Sequence, residues 1–212
     1  MRTIVRAFDG SLRDAEGLLA VERTTFDESP YTAEQVATML SGTRQRAWLA
    51  TAGTQVVGFV ITFPTAGLQG RRWEIDLLAV LPQWRGHGLA TRLIRAAATH
   101  GMAEAPTARA AVDADNRASI QAFRRAGLRA GPETCTLLIY RTGGLSSLRQ
   151  GEGEVYIREA SSVFEVAKWV PNLPSTEPEP GAILLRAERE GLATGYAELI
   201  EVETLLYRGF WL

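Results

Sequence analysis

The chain has 212 residues, a formal net charge of -1, and 46% hydrophobic and 22% charged residues. This length allows one large domain, or one and a half, with a substantial core, and the composition is ordinary for a globular protein. The near-neutral charge gives no electrostatic reason to expect nucleic acid or an anionic membrane surface as a partner.

Targeting and redox signals are weak throughout the sequence. The first residues lack the apolar run of a signal peptide, and no stretch approaches the length of a membrane span. The single cysteine, Cys135, cannot form an internal disulfide, and the two histidines, His87 and His100, suggest no metal cluster. We therefore expect a reducing, cytoplasmic location and no metal.

Taken in chain order, the N-terminal part reads as alternating strands and helices. The pattern predicts a strand at 3–7, a helix at 14–26 capped by Asp14, a helix at 32–40 opened by a Thr32–Gln35 capping box, strands at 47–52 and 56–63, and a loop at 64–72. After the central stretch described next, a strand is expected at 108–113, a helix from Asn116 to a terminating Gly127, and a strand at 134–141.

The most informative stretch is EIDLLAVLPQWRGHGLATRLIRAAA, residues 74–98. An apolar run with carboxylates at alternate positions, Glu74 and Asp76, is stopped by Pro82 and followed by two glycines, Gly86 and Gly88. A helix with apolar positions at helical spacing starts at once. Strand, glycine turn and helix in succession indicate an anion site, because the first amides of a helix lack intrahelical partners and glycines let a phosphate approach the backbone.

Two common phosphate motifs do not fit this turn. A P-loop requires Gly-Lys-Ser/Thr at the helix start, where this chain has Gly88, Leu89 and Ala90. A dinucleotide fingerprint requires a third glycine at position 91, which is Thr91.

The turn resembles the acetyl-CoA-binding motif of the GNAT superfamily of N-acyltransferases. The resemblance is carried by Gln83-x-x-Gly86-x-Gly88-x-Ala90 after a strand that ends Leu78-Ala79-Val80-x-Pro82. A second block is similar to the family's Asn-x-x-Ala-x-x-x-Tyr-x-x-x-Gly-Phe, and it consists of Asn116, Ser119, Ile120, Phe123, Gly127 and Leu128. The resemblance covers about residues 1–142 and implies an α/β (α+β) fold with a mixed, mostly antiparallel central sheet flanked by helices.

The resemblance also implies the residues that bind acetyl-CoA, with CoA as the product. Backbone amides of the turn would hold the pyrophosphate: Arg85, Gly86, His87, Gly88, Leu89 and Ala90. The backbone of Leu78, Ala79 and Val80 would pair with the pantetheine arm, and the amide of Val80 would donate to the thioester carbonyl. Asn116, with Ser119 and Phe123 of the same block, would face the arm from the opposite side.

The resemblance implies that Glu74, at the position of the family's catalytic glutamate, is the base that deprotonates the acceptor amine, with Asp76 as a second candidate on the same strand face. The alternative is that both carboxylates are solvated on an exposed face or are bonded to the nearby Arg71 or Arg72. The sequence departs from the family at Phe123, where a tyrosine general acid is common. Three readings remain: the thiolate leaves without an acid, another tyrosine such as Tyr31 or Tyr140 reaches the site, or the protein binds the cofactor without transfer.

The resemblance therefore implies an N-acetyltransferase acting on a primary amine of a small molecule or peptide. The alternatives are a catalytically impaired acyl-CoA sensor or assembly module of the same fold, and a nucleotide-binding protein that uses the same glycine turn. The sequence does not identify the acceptor.

The rest of the chain predicts a partial second copy. A glycine- and serine-rich linker at 143–153 separates a GNAT domain at 1–142 from residues 154–212, whose strand, short helix, hairpin and final strand resemble the front half of a GNAT unit. An unrelated hairpin extension is the alternative. The last, apolar strand should pair either within the chain or across a homodimer.

Overall fold

The structure, a computed structural model, describes residues 2–26, 29–42, 44–68, 70–131, 155–169, 182–203 and 208–211. It divides into two compact units. The first is built mainly from the chain up to Ala66 and from Arg71 to Ala130; the second combines the short segment Gly67–Gly70 with the described residues between Gly131 and Glu201. The predicted linker and the predicted strand at 134–141 lie outside the described residues.

A five-stranded sheet forms the centre of the first unit, in the order β1-β2-β3-β4-β5. Its strands are β1 (Thr3–Ala7), β2 (Arg46–Ala52), β3 (Gln55–Gly67), β4 (Gly70–Val80) and β5 (Thr107–Arg109). β1, β2 and β3 pair antiparallel, whereas β4 and β5 run parallel. Short turns join β2 to β3 and β3 to β4, two helices lie between β1 and β2, and a parallel crossover through a helix joins β4 to β5. The result is a mixed sheet, as the sequence predicted.

In the described residues, four α-helices accompany this sheet: α1 (Leu12–Phe26), α2 (Ala33–Ser41), α3 (Leu89–Glu104) and α4 (Arg117–Ala126). The predicted capping box of α2 is present, because Thr32 and Gln35 exchange hydrogen bonds. Gly127 ends α4 in the left-handed conformation, as expected. The cap assigned to α1 was wrong: Ser11 Oγ accepts the amide of Asp14, which lies in the first turn and pairs with Arg6 at 2.5 Å.

One face of α1 is buried at the predicted positions. Ala15, Leu18 and Leu19 belong to the main core, together with apolar residues of β2, β3, β4 and α3. Glu22 on the same face is only 3% exposed, and burial raises the pKa of its carboxyl, an effect opposed by a hydrogen bond with Ser29. The buried face that the helical spacing predicts therefore includes the carboxylate of Glu22.

Two predicted boundaries differ from the structure. The segment 64–72, expected to be a loop, is mostly strand: β3 runs through Pro64 to Gly67, and β4 begins at Gly70, where φ is +89°. The turn is therefore short and lies at the glycines rather than at the proline. The strand expected at 108–113 ends at Arg109.

The second unit contains most of a second sheet, which has the order β6-β7-β8-β9. Its strands are β6 (Tyr156–Glu159), β7 (Ile183–Arg189), β8 (Leu192–Glu203) and β9 (Arg208–Trp211), with a 3₁₀ helix at Val163–Trp169. Leu68 is buried with Val163, Val166 and Leu184, and its amide donates to the Glu198 carboxylate at 2.9 Å. β7 and β8 pair antiparallel around a turn at Gly191, which confirms the predicted hairpin.

Glu165 anchors one side of this second unit. Its carboxylate accepts bonds from Arg158 and Arg186, and these guanidinium groups also pair with Glu188. The capping box predicted between Ser162 and Glu165 takes another form, because the Glu165 carboxylate accepts hydrogen bonds from the amide and the hydroxyl of Ser161.

Among the described residues, no helix is long and apolar enough to cross a membrane.

Candidate active site

The central sheet forks between β4 and β5. The two strands are in register over only three pairs: Arg72 with Thr107, Trp73 with Ala108, and Glu74 with Arg109. β5 ends there, whereas β4 continues to Val80. The last six residues of β4 are therefore free of β5 and offer backbone groups to another extended chain.

The backbone around Val80 is oriented towards this fork. The amide of Leu81 donates to the carbonyl of Val57 on β3, and the carbonyl oxygen of Ala79 lies within 2.8 Å of where a Cβ on Gly58 would be. Because backbone groups of successive residues point to opposite sides of a strand, the amide and carbonyl of Val80 face away from β3. The side chain of Arg85 reaches the same edge, where its Nε donates to the Val80 carbonyl at 3.1 Å.

The glycine turn lies directly after this edge. A short 3₁₀ helix, Pro82–Trp84, leads into Gly86 and Gly88, which have φ of +81° and +73°. Gly88 is the N-cap of α3. The amide of Arg92 makes the first bond of the helix, to the carbonyl of Gly88, so the amides of Leu89, Ala90 and Thr91 precede the helical ladder and point out of the helix end.

The space beside this turn suits an anion. A Cβ at Gly86 or Gly88 would meet nothing within 4 Å, and the turn from Arg85 to Gly88 is exposed. The side chain of His87 folds back, with Nδ1 2.9 Å from the carbonyl oxygen of Arg85, so that Nδ1–H donates to the turn. Outward-pointing amides at the positive end of α3, bordered by open space, fit the pyrophosphate group that the sequence predicted.

The second motif block forms the first turns of α4. The side-chain oxygen of Asn116 accepts the amide of Ser119 at 3.1 Å and so caps the helix. The side-chain amide nitrogen of Asn116 keeps its capacity to donate. Phe123 is half-buried against the main core. α3 and α4 are also joined by a bond from Arg95 to the carbonyl of Arg125.

Glu74 is the most enclosed carboxylate of β4. It is 3% exposed and accepts hydrogen bonds from Thr65 Oγ1 at 2.7 Å and from Arg109 Nε, which is 2.9 Å from Oε1 and 2.8 Å from Oε2. Arg72 lies further away, with Nε 3.7 Å from the carboxylate. The pairing with Arg72 considered from the sequence is therefore present, but Arg109 and Thr65 make the closer contacts.

Asp76 lies two residues further along β4 and is half-buried. By strand alternation it shares a face with Glu74, while Trp73 between Arg72 and Glu74 points the other way, towards Gly101 of α3. The two predicted carboxylates are thus on one face and next to the fork. The sequence analysis did not identify Arg109 or Thr65, because only the pairing of strands brings them next to Glu74.

A sheet forked beside a glycine turn at a helix N-terminus is the architecture of an acyl-CoA-dependent acyltransferase. The profile of the acetyltransferase (GNAT) family matches residues 15–128, more than half of the chain. The chain belongs to this family, and its predicted fold class is confirmed.

One curated relative and two solved structures illustrate the similarity. The mycothiol acetyltransferase of Streptomyces griseus subsp. griseus is 34% identical over 131 residues, which cover 58% of this chain and 42% of that protein. The chain thus spans less than half the length of that relative.

The solved structures share the fold at low identity. An aminoglycoside acetyltransferase from an uncultured soil metagenomic sample, in complex with sisomicin, superposes with a TM-score of 0.58 at 15% identity, over 66% of this chain and 95% of the other. The aminoglycoside N-acetyltransferase AAC(6')-Iy in complex with CoA has a TM-score of 0.55 at 16% identity, over 67% of this chain and 95% of the other.

Proposed function

We propose that the protein transfers an acetyl group from acetyl-CoA to a primary amine of a small molecule or peptide. The observation that carries the proposal is the edge of β4 that continues beyond its three pairs with β5 and leads directly into the outward amides of α3. In this reaction the amine nitrogen bonds to the thioester carbonyl carbon and the carbon–sulfur bond breaks. CoA leaves as its thiolate, and the amine loses one proton.

The donor half of the site uses mainly backbone groups. The amides of Gly88, Leu89 and Ala90 would hold the pyrophosphate, and the free edge from Leu78 to Val80 would align the pantetheine arm. The amide of Val80, which faces the fork, would donate to the thioester oxygen as negative charge develops there. Asn116 would donate from the α4 side.

Deprotonation of the acceptor is the step that needs a side chain. An amine with a pKa of about 10.4 is neutral in roughly one molecule in 2,500 at pH 7, a cost of about 4.6 kcal/mol. We assign the role of base to Glu74, with proton transfer through water, and we place Asp76 beside it as the second carboxylate. Asp76 and Glu74 lie about 13 and 20 Å from Val80 along the strand, so a water path is required for Glu74.

The leaving group must be accommodated without a tyrosine at position 123. Phe123 has no proton to donate, and its ring packs against the main core. A thiol pKa near ~8.5 makes the thiolate a fair leaving group in water. We therefore propose that CoA departs as the thiolate and takes its proton from solvent.

The class of acceptor is proposed by analogy with the related proteins. The fold neighbours with aminoglycoside acetyltransferase activity act on amines of small molecules, and the relative named for mycothiol also has a small-molecule product. A cytoplasmic location and a homodimer formed through the C-terminal strands stay predictions.

A thiol-release assay with acetyl-CoA over a panel of small amines, aminoglycosides and short peptides tests the proposal, beside calorimetric titration with CoA. Turnover with any amine supports acetyl transfer, whereas CoA binding without turnover on the whole panel supports the sensor alternative. Absence of CoA binding would refute the donor site itself.

If the protein is active, one variant at each carboxylate tests which of the two acts as the base. Glu74→Gln should lower the rate mainly below about pH 8 and lose its effect as the amine deprotonates without help. A loss that is independent of pH would assign Glu74 a structural role. Asp76→Asn should have the smaller effect; the reverse order would move the role of base to Asp76.

A further inference from the structure

The partner of Glu74 lies where the sheet divides. Arg109 is the last residue of β5, and it is opposite Glu74 in the last pair of the β4–β5 ladder. Its Nε bonds both carboxylate oxygens, at 2.9 and 2.8 Å. The ion pair therefore ties the two strands together at the residue where they separate.

The surroundings of this pair are asymmetric. Glu74 is almost fully buried, whereas the side chain of Arg109 is 43% exposed. Thr65 of β3 fixes the carboxylate from the other side. Three neighbouring strands thus hold one carboxylate: β3 by a hydroxyl, β4 by its backbone, and β5 by a guanidinium.

The charged groups around Glu74 come from two strands. In the described residues, Arg72 and Asp76 flank it on β4, Arg109 contacts it from β5, and β3 contributes only the neutral Thr65. Arg109 makes the shortest ionic contact with Glu74, because the Arg72 Nε is 3.7 Å away. Loss of Arg109 would leave the buried carboxylate with a more distant cation.

We propose that Arg109 is a positioning residue for acetyl transfer, which holds Glu74 in one orientation at the fork and places a positive charge beside it. The proposal rests on the proposed function, since it assumes that Glu74 serves the acceptor amine. It assigns Arg109 no contact with either substrate. Its two effects, orientation and charge, can be separated by substitution.

Arg109→Gln removes the charge, and Arg109→Lys retains it without the planar guanidinium. For Arg109→Gln we expect kcat to fall about 10- to 100-fold, the range expected when a catalytic group is misplaced by about 1 Å. The acid limb of the pH–rate profile should also shift, a change that a purely structural role of Arg109 would not produce. Arg109→Lys should restore the position of the acid limb and only part of kcat.

A matched control is a second Arg–carboxylate pair in the described part of the first unit, which also has a buried carboxylate. Arg6 and Asp14 are exposed to 36% and 4%, close to the values for Arg109 and Glu74, but they join β1 to α1. Arg6→Gln should lower the melting temperature and leave the acid limb in place. In the Arg109 variants, KM for acetyl-CoA should stay within about 2-fold of the wild-type value, since the donor half of the site is intact.

The outcomes distinguish the two proposals. If the wild-type protein is active and Arg109→Gln lowers only the melting temperature, with kcat and the acid limb unchanged, the positioning role is overturned and acetyl transfer stands. The same holds if Arg6→Gln moves the acid limb as far as Arg109→Gln does. If the wild-type protein transfers acetyl to no amine, both proposals fail together.

Discussion

Gly86 provides the sharpest test of the donor site. It is exposed, has φ of +81°, and would place a Cβ in open space with nothing within 4 Å. A side chain at this position therefore meets no atom of the protein. If the proposed pyrophosphate site is correct, the same side chain enters the space of the ligand.

The expected magnitudes follow from this geometry. A residue other than glycine in the left-handed region costs roughly 1–2 kcal/mol, so Gly86→Ala and Gly86→Glu should each destabilise the fold only modestly. At about 5 Å from a phosphate charge, a glutamate carboxylate would add about 1–3 kcal/mol of repulsion at effective dielectric constants between those of water and a protein surface. Since about 1.4 kcal/mol is a factor of ten, Gly86→Glu should weaken CoA binding by about 5- to 140-fold.

Calorimetric titration with CoA and thermal unfolding measure the two effects separately. Gly53 is the matched control, because it also has positive φ, +59°, with nothing within 4 Å, but lies in the turn between β2 and β3. Gly53→Glu should cost similar stability and leave CoA affinity unchanged. An unchanged affinity in Gly86→Glu, or an equal loss in Gly53→Glu, would refute the assignment of the turn to the pyrophosphate.

Two further predictions concern stability. Hydrogen bonds from Ser161, then Arg158, lower the pKa of Glu165 from 4.5 to about 2, so its stabilising effect is present above about pH 4.5 and is lost as the pH falls towards 2. The melting temperature of Glu165→Gln should lie below wild type at pH 7 and converge with it over that interval; a constant difference would contradict the assignment. Gly101→Ala would place a Cβ 2.2 Å from Trp73, and overpacking should cost about 1–3 kcal/mol despite the better helix propensity of alanine, whereas Gly131→Ala, with open space around it, should be neutral in thermal unfolding.

The parts of the fold that were predictable depend on local signals. The capping box of α2, the glycine that ends α4, and the start of α3 directly after Gly88 are each set by residues a few positions apart. The same holds for the glycine turn, whose two positive-φ residues are the glycines of the motif. Such features can be deduced from the sequence because the interacting groups are close in the chain.

The parts that were missed depend on register between distant segments. The strand pair that brings Arg109 opposite Glu74 is separated by thirty-five positions and by α3, so no local pattern shows it. The predicted loop at 64–72 failed for a related reason. Proline is usually excluded from strand interiors, but Pro64 is accommodated in β3, and the glycines at 67 and 70 make the turn instead.

The two halves of the proposed site differ in the groups that form them. The proposed donor half of the site consists of amides of β4 and α3, which most side-chain substitutions leave in place. The proposed acceptor half consists of side chains such as Glu74, whose orientation depends on Thr65 and Arg109 on other strands. A substitution at Arg109 or Thr65 would change the position of the Glu74 carboxylate relative to the proposed acceptor amine. It would leave in place the backbone that is proposed to bind the donor. Acceptor preference can therefore diverge while the donor site persists, and the acceptor must be found by assay of the carboxylate face rather than by motif.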